Sequence, residues 1–361
     1  MALTIQTTPK KDGFRMPAEF ESHKSTWLMW PDRTDIYPYG AKAVQKSYVE
    51  LAAIISKFEQ VNVCVSKSQF QNARVKLPEN VRVMEMSYDG GWIRDTGPTF
   101  LTNDKGTIRG VDWEFNSWGE QGYFPWDQDN LVAQKVLEIE NIDRYKCNLV
   151  LEGGSLNTDG QGTLLITEES VINPNRNPSL SKFEIEELLT QYLNVKKIIW
   201  LEKGIYLDEA GGHIDGLCCF LKPQVIALTW TEDKNDPQYE ISRNAYDILS
   251  HAKDSKGNKL EIVKMHQPDP CYITKEESAW IDHIEGTAPR DEGDRLPATY
   301  INFYFANNSI IFPTFNDKFD KINIEKLKEI YPERQIMPIF SRSILLGGGN
   351  IHCMTQQQPK A

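Results

Sequence analysis

The chain has 361 residues, 40% of them hydrophobic and 25% charged, with a formal net charge of −11. That length and balance describe a globular protein with a sizeable core and exclude a low-complexity chain. The negative charge would repel a polyphosphate backbone, which argues against nucleic acid as a partner and is compatible with a small cationic ligand.

No apolar run approaches the ~20 residues of a membrane span, and Met1-Ala2-Leu3-Thr4-Ile5 lacks the charged and apolar regions of a signal peptide. No membrane association is expected, and the expected location is cytoplasmic. Six cysteines, Cys64, Cys147, Cys218, Cys219, Cys271 and Cys353, have no CxxC spacing and are expected to be reduced. No metal or organic cofactor is implied, and a homo-oligomer is compatible with the sequence.

In chain order the patterns predict a helix over 43–57, strands over 61–65 and 81–86, a helix over 131–140, and strands over 149–151 and 163–166. A helix over 182–193 follows, with Ser181 placed to cap it and Phe183, Ile185, Leu188, Leu189 and Leu193 on a 3.6-residue period. Strands over 197–201 and 225–230, a helix over 240–253, strands over 261–265, 300–305 and 309–312, a helix over 324–330 and a strand over 344–346 complete the series. About ten strands to five helices is too strand-rich for a barrel or doubly wound sheet, where each strand takes a helix. The pattern is that of a mixed α/β chain with a repeated ββα-type unit. No linker or charge block divides it, so residues 1–361 are expected to form one catalytic domain.

Four glycine-flanked islands carry unusual side chains. Leu346-Gly347-Gly348-Gly349-Asn350-Ile351-His352-Cys353 ends an apolar run in glycines, which suit a close approach to a ligand, and would present Cys353 as a nucleophile at a strand's end. Taken alone, Cys353 also fits a buried structural thiol. In Asp89-Gly90-Gly91-Trp92-Ile93-Arg94-Asp95-Thr96-Gly97-Pro98, a Trp and a carboxylate bracket an arginine, a pattern shared with surface turns. Leu151-Glu152-Gly153-Gly154-Ser155 leaves Glu152 at a strand end. In Gly211-Gly212-His213-Ile214-Asp215-Gly216, alternation would aim His213 and Asp215 to one side of a strand; such a pair also fits a surface contact or half a metal site. Together, Cys353, His213, Glu152, Asp95 and Asp215 form a candidate Cys–His hydrolase site drawn from the whole chain.

These motifs, with Trp27-x-x-Trp30-Pro31, Asn116-x-Trp118-Gly119, Asn175-Arg176-Asn177-Pro178, Asp236-Pro237-Gln238-Tyr239 and Tyr300-Ile301-Asn302-Phe303-Tyr304, occur in the order seen in one family. Over nearly its full length the chain resembles the agmatine deiminases of the guanidine-modifying superfamily. The resemblance implies a fivefold pseudosymmetric α/β propeller, the pentein fold, built of ββαβ-like units. It also implies hydrolysis of agmatine to N-carbamoylputrescine and ammonia within polyamine and putrescine biosynthesis. Cys353 would form a covalent thiouronium, His213 would exchange protons with ammonia and water, and Glu152 would orient His213. Asp95 and Asp215 would clamp the guanidinium, with Trp92, Trp118 and Gly349 completing the substrate site. For Trp92 and Trp118, ordinary core packing is the competing reading. Deimination of arginine or peptidyl-arginine, and a catalytically impaired ligand-binding paralogue, are the alternative functions.

The chain departs from that family where Gly90, Gly211 and Gly216 stand in place of polar residues, and where the loop after Trp118 is shortened. Glycine at these positions is expected to loosen the site, so restoring Gly90→Asp, Gly211→Asn and Gly216→Asn together is expected to raise kcat/KM.

Overall fold

The computed structural model describes residues 2–360. Five separate sheets form an α/β fold, and one connection pattern recurs in them. Strands Cys218–Lys222 and Val225–Trp230 pair antiparallel, helix Gln238–His251 follows, and Glu261–His266 returns parallel to Val225–Trp230. The same order of hairpin, helix and parallel strand joins Tyr304–Ala306, Ser309–Thr314, Lys318–Ile330 and Gln335–Phe340. It recurs in Asn157–Thr158, Thr163–Thr167, Lys182–Leu193 and Lys197–Leu201, and in Thr99–Thr102, Ile108–Glu114, Val132–Ile139 and Arg144–Val150. The fifth unit joins distant parts of the chain. Gln356–Pro359 pairs antiparallel with His23–Met29, and helix Lys42–Ile55 leads to Gln60–Val65, parallel to His23–Met29.

Local chemistry explains the elements. Ser181 and Glu184 form a reciprocal capping box that starts helix Lys182–Leu193, which then buries Ile185, Leu189 and Leu193 at four-residue intervals. Phe183, on the predicted apolar period, is exposed instead. The buried strand Val225–Trp230 packs Ile226 and Leu228 against Ala245 and Leu249 of the neighbouring helix. Burying a side chain of this size contributes roughly 1.5–3 kcal/mol, so each sheet and its helix cohere through a small number of such contacts.

Three local predictions fail. Residues 344–346 lie in or at the end of the short helix Arg342–Leu345, so Cys353 follows a turn and not a strand. His213 and Asp215 lie at the start of, and within, a 3-10 turn, Ile214–Gly216. The expected strand over 300–305 begins only at Tyr304, because Thr299–Phe303 leave the ladder and turn toward the site.

Candidate active site

Each unit delivers one segment immediately before its first strand. Trp92–Thr96 precedes Thr99–Thr102, Glu152–Ser155 precedes Asn157–Thr158, His213–Gly216 precedes Cys218–Lys222, Asn302 precedes Tyr304–Ala306, and Cys353 precedes Gln356–Pro359. These segments converge on a cavity of about 380 Å³. Trp92, Trp118, Asp95, Asp215, Asn302, Gly349 and Cys353 line it, while Glu152 and His213 stand behind its wall.

Cys353 is buried, and its Sγ lies 3.5 Å from Asp215 Oδ2 and 3.3 Å from Asn302 Nδ2. Asn302 is held beneath it, since its Oδ1 accepts from the backbone N–H of His352 at 3.0 Å and of Cys353 at 3.3 Å. A side chain at Gly349 would meet Trp92 at 2.7 Å and Cys353 Sγ at 3.1 Å, so only glycine allows this turn to pack on the nucleophile. Burial, followed by the charges of Asp215 and Asp95, pushes the Cys353 thiol well above its ordinary range.

Asp95 accepts from Trp118 Nε1 at 3.0 Å and from the backbone N–H of Gly154 at 3.0 Å. Trp118 reaches it from a left-handed backbone conformation, φ 55°, that bulky residues seldom adopt. Burial and the nearby carboxylates of Asp215 and Glu152 raise Asp95 to about 6 against the opposing pull of His213 and Trp118. Asp215 behaves oppositely. Burial works against its ionisation, but the hydrogen bond and charge of His352, joined by the charges of His213 and Arg94, hold it below the usual carboxylate range.

The imidazole of His213 sits between Glu152, 3.4 Å from Nε2, and Asp95, 3.8 Å from Nδ1. Burial alone would lower its pKa, but the charges of Asp95 and Glu152 lift it to about 9. Its Nδ1 has no hydrogen-bond partner. Glu152 is itself fixed by Arg176, whose Nε lies 2.9 and 3.1 Å from its two oxygens, both side chains being 0% exposed. Although burial opposes it, Arg176 and His213 bring Glu152 down to about 2.

Sequence reasoning missed several of these groups. Asn302, Arg176 and His352 stood within the quoted motifs without roles, and Asp208, which accepts from the backbone N–H groups of Gly212 and His213, was not singled out. The available signal was the repeat, because four of the five units had supplied a candidate and the unit beginning at Tyr304 had none. Arg94, read beside Asp95 as part of a turn, is buried and bonds Gln357 Oε1 at 2.8 Å and His352 O at 3.3 Å.

The expected loosening at the glycines is corrected by the packing around them. A Cβ at Gly90 would lie 1.9 Å from Tyr123 Oη and 2.9 Å from Asp129 Oδ2. That space is filled, and Asp129 accepts from the backbone N–H groups of Asp89 and Gly90 and from the Tyr123 hydroxyl. At Gly211, φ 75°, a Cβ would stand 2.9 Å from Arg176 Nη1, and at Gly216 it would stand 3.0 Å from Ile205. Among the described residues, no group of three or more His, Cys, Asp or Glu side chains is placed to hold a metal ion, and no helix is long and apolar enough to cross a membrane.

Residues 15–359 match the family model described as Porphyromonas-type peptidyl-arginine deiminase. The chain belongs to that family. Among relatives of this deiminase-family chain, the agmatine deiminase of Pseudomonas aeruginosa (strain LESB58) is 49% identical over 358 residues, covering 98% of this chain and 97% of its own. A Listeria monocytogenes serotype 4b (strain F2365) protein, provisionally named agmatine deiminase 1, is 54% identical over 361 residues, 99% of each chain. The solved structure of the agmatine deiminase of Enterococcus faecalis superposes with a TM-score of 0.97 at 46% identity and covers 100% of both chains.

Proposed function

We infer that this protein is a hydrolase of amidine C–N bonds that converts agmatine to N-carbamoylputrescine and ammonia. The observation that carries the reaction class is a buried thiol beside Asp215 at the wall of a cavity that Asp95 also lines. The family model takes its description from peptidyl-arginine deiminases, whereas the relatives at about half identity over full length are named for agmatine, and that closer likeness supports the smaller substrate.

The proposed steps follow from the charges. A guanidinium presents a planar fork of N–H donors, which paired carboxylates match in shape and sign, so Asp95 and Asp215 clamp it over Cys353 while Trp92 and Trp118 wall its stem. Without a cation beside it Cys353 stays a thiol; the arriving cation offsets the two carboxylates that disfavour thiolate, the thiol proton passes to solvent, and Asn302 Nδ2 donates to the sulfur that remains. Sulfur adds to the guanidinium carbon, and the tetrahedral adduct breaks its C–N bond as His213, protonated near neutrality, gives a proton to departing ammonia. Water then adds to the S-alkylthiouronium with His213 as base, the C–S bond breaks, and the ureido product leaves.

The five similar units support a fivefold propeller arrangement around this site, and the pairing of Gln356–Pro359 with His23–Met29 supports one catalytic domain over residues 1–361. The test is ammonia release with agmatine, arginine and a peptidyl-arginine. Turnover of agmatine by the wild type, its loss in Cys353→Ala, and a covalent adduct on Cys353 in mass spectrometry are expected. Preference for arginine or peptidyl-arginine would overturn the substrate, and no turnover of any of them would favour a binding paralogue.

A further inference from the structure

Behind Asp215 lies a buried charged group that none of these steps uses. His352 Nδ1 is 2.8 Å from Asp215 Oδ2, and its Nε2 is 2.7 Å from Glu19 Oε2. Neither His352 nor Glu19 lines the cavity. Glu19 lies just ahead of strand His23–Met29, where its Oε1 accepts from the backbone N–H of Phe305 at 3.0 Å and its Oε2 stands 3.6 Å from Arg94 Nη2. The charged groups facing His352 are therefore Glu19, Asp215 and Arg94. Both ring nitrogens point at carboxylate oxygens, so both bonds form with ionised carboxylates only when each nitrogen carries a proton.

We propose that Glu19 is a positioning residue that keeps His352 as an imidazolium, and that this cation keeps Asp215 an ionised, correctly aimed clamp for the guanidinium. Asp215 Oδ2 faces the Cys353 thiol on one side and His352 Nδ1 on the other. Were His352 neutral, Asp215 would keep at most the hydrogen bond from Nδ1–H and would lose the cation's charge in a fully desolvated setting. A protonated Asp215 presents one acceptor fewer and no charge, so substrate would meet a half-built clamp. Burial and the charge of Arg94 oppose a cation at His352, but the charges and hydrogen bonds of Glu19 and Asp215 together outweigh them.

The proposal rests on the deiminase reading for the purpose of its kinetic test but has a readout independent of turnover. Glu19→Gln retains an oxygen for the Phe305 N–H and turns an amide donor toward Nε2, which favours a neutral ring without changing shape. In wild-type protein, ¹⁵N spectra of labelled histidine are expected to show His352 as an imidazolium at a pH above the ordinary histidine range, and as neutral imidazole at the same pH in Glu19→Gln. The acid limb of kcat/KM for agmatine, set by Asp95 in the wild type, is expected to steepen and move upward in that variant as Asp215 comes to titrate beside it. His352→Asn, which keeps a neutral donor beside Asp215, is expected to show the same shift, and adding Glu19→Gln to it is expected to move the limb no further. A neutral His352 in the wild type overturns the proposal. So does an activity loss of equal size at every pH in both variants, which is what a purely structural role would give. If Glu19→Gln does not fold, the wild-type spectrum and His352→Asn decide alone. A wild type inactive on agmatine would count against the proposed substrate while leaving the ¹⁵N result decisive here.

Discussion

Asn302→Ala tests whether the base of the nucleophile's pocket is part of the chemistry. The substitution removes the 3.3 Å donor to Cys353 Sγ and the Oδ1 acceptor for the N–H groups of His352 and Cys353. His352 N–H retains a partner in the Asn302 backbone carbonyl at 3.2 Å, so one buried donor, Cys353 N–H, is orphaned. A hydrogen bond to an ionised group contributes about 1.5–3 kcal/mol, which at 1.4 kcal/mol per tenfold is a loss of roughly 10- to 150-fold in thiolate-dependent rate. The orphaned donor costs a further 1–3 kcal/mol or so of folding stability, read separately by urea unfolding. The assay is the pH dependence of iodoacetamide alkylation of Cys353, with and without a saturating guanidine, beside kcat for agmatine. Alkylation of the liganded variant is expected to need a higher pH than that of the liganded wild type, with kcat falling in proportion. An unchanged alkylation profile accompanied by a fall in stability alone would refute the proposed role of Asn302 and leave it as support for the turn.

Other outcomes follow from the same geometry. kcat/KM for agmatine is expected to fall below a pH of about 6, where Asp95 takes a proton and ceases to clamp a cation, and above about 9, where His213 loses the proton it gives to ammonia; a pH–rate profile checks both limbs. Arg176→Gln leaves the buried carboxylate of Glu152 with His213 as its remaining cation, so a loss of about 3–5 kcal/mol is expected, read by urea unfolding. Gly90→Asp drives a Cβ into the Tyr123 hydroxyl and a carboxyl toward Asp129, so the variant is expected to lose about 1–3 kcal/mol and to lower kcat/KM, not raise it.

The sequence was legible where chemistry forces residue type. A buried helix face shows its period, as Ile185, Leu189 and Leu193 do, and a buried strand such as Val225–Trp230 shows its β-branched and aromatic run. Cys353, Asp95 and Asp215 could be picked out because a nucleophile and carboxylates beside glycines are costly for any other purpose, and the fold brings these expected residues to one cavity. Strand Gln335–Phe340 was missed, since Pro338 interrupts its pattern and several of its residues are exposed, and Gln356–Pro359 carries glutamines whose burial depends on partners hundreds of residues away. The packing around Gly90 was hidden for a related reason. The missing side chain is replaced by Tyr123 and Asp129, and nothing local to residue 90 announces that substitution in space.

The pairing of Gln356–Pro359 with His23–Met29 sets an order of events during synthesis. Four units can assemble from neighbouring stretches as they leave the ribosome, but in the fifth, strand His23–Met29 must wait for a partner made more than 300 positions later. Until then His23–Met29 presents a bare edge, the kind of surface on which chains join one another wrongly. The nucleophile arrives with the same late segment, so a nascent chain carries carboxylates, histidine and aromatic walls without the atom that reacts. The seam that completes the architecture is also the step that switches on its chemistry.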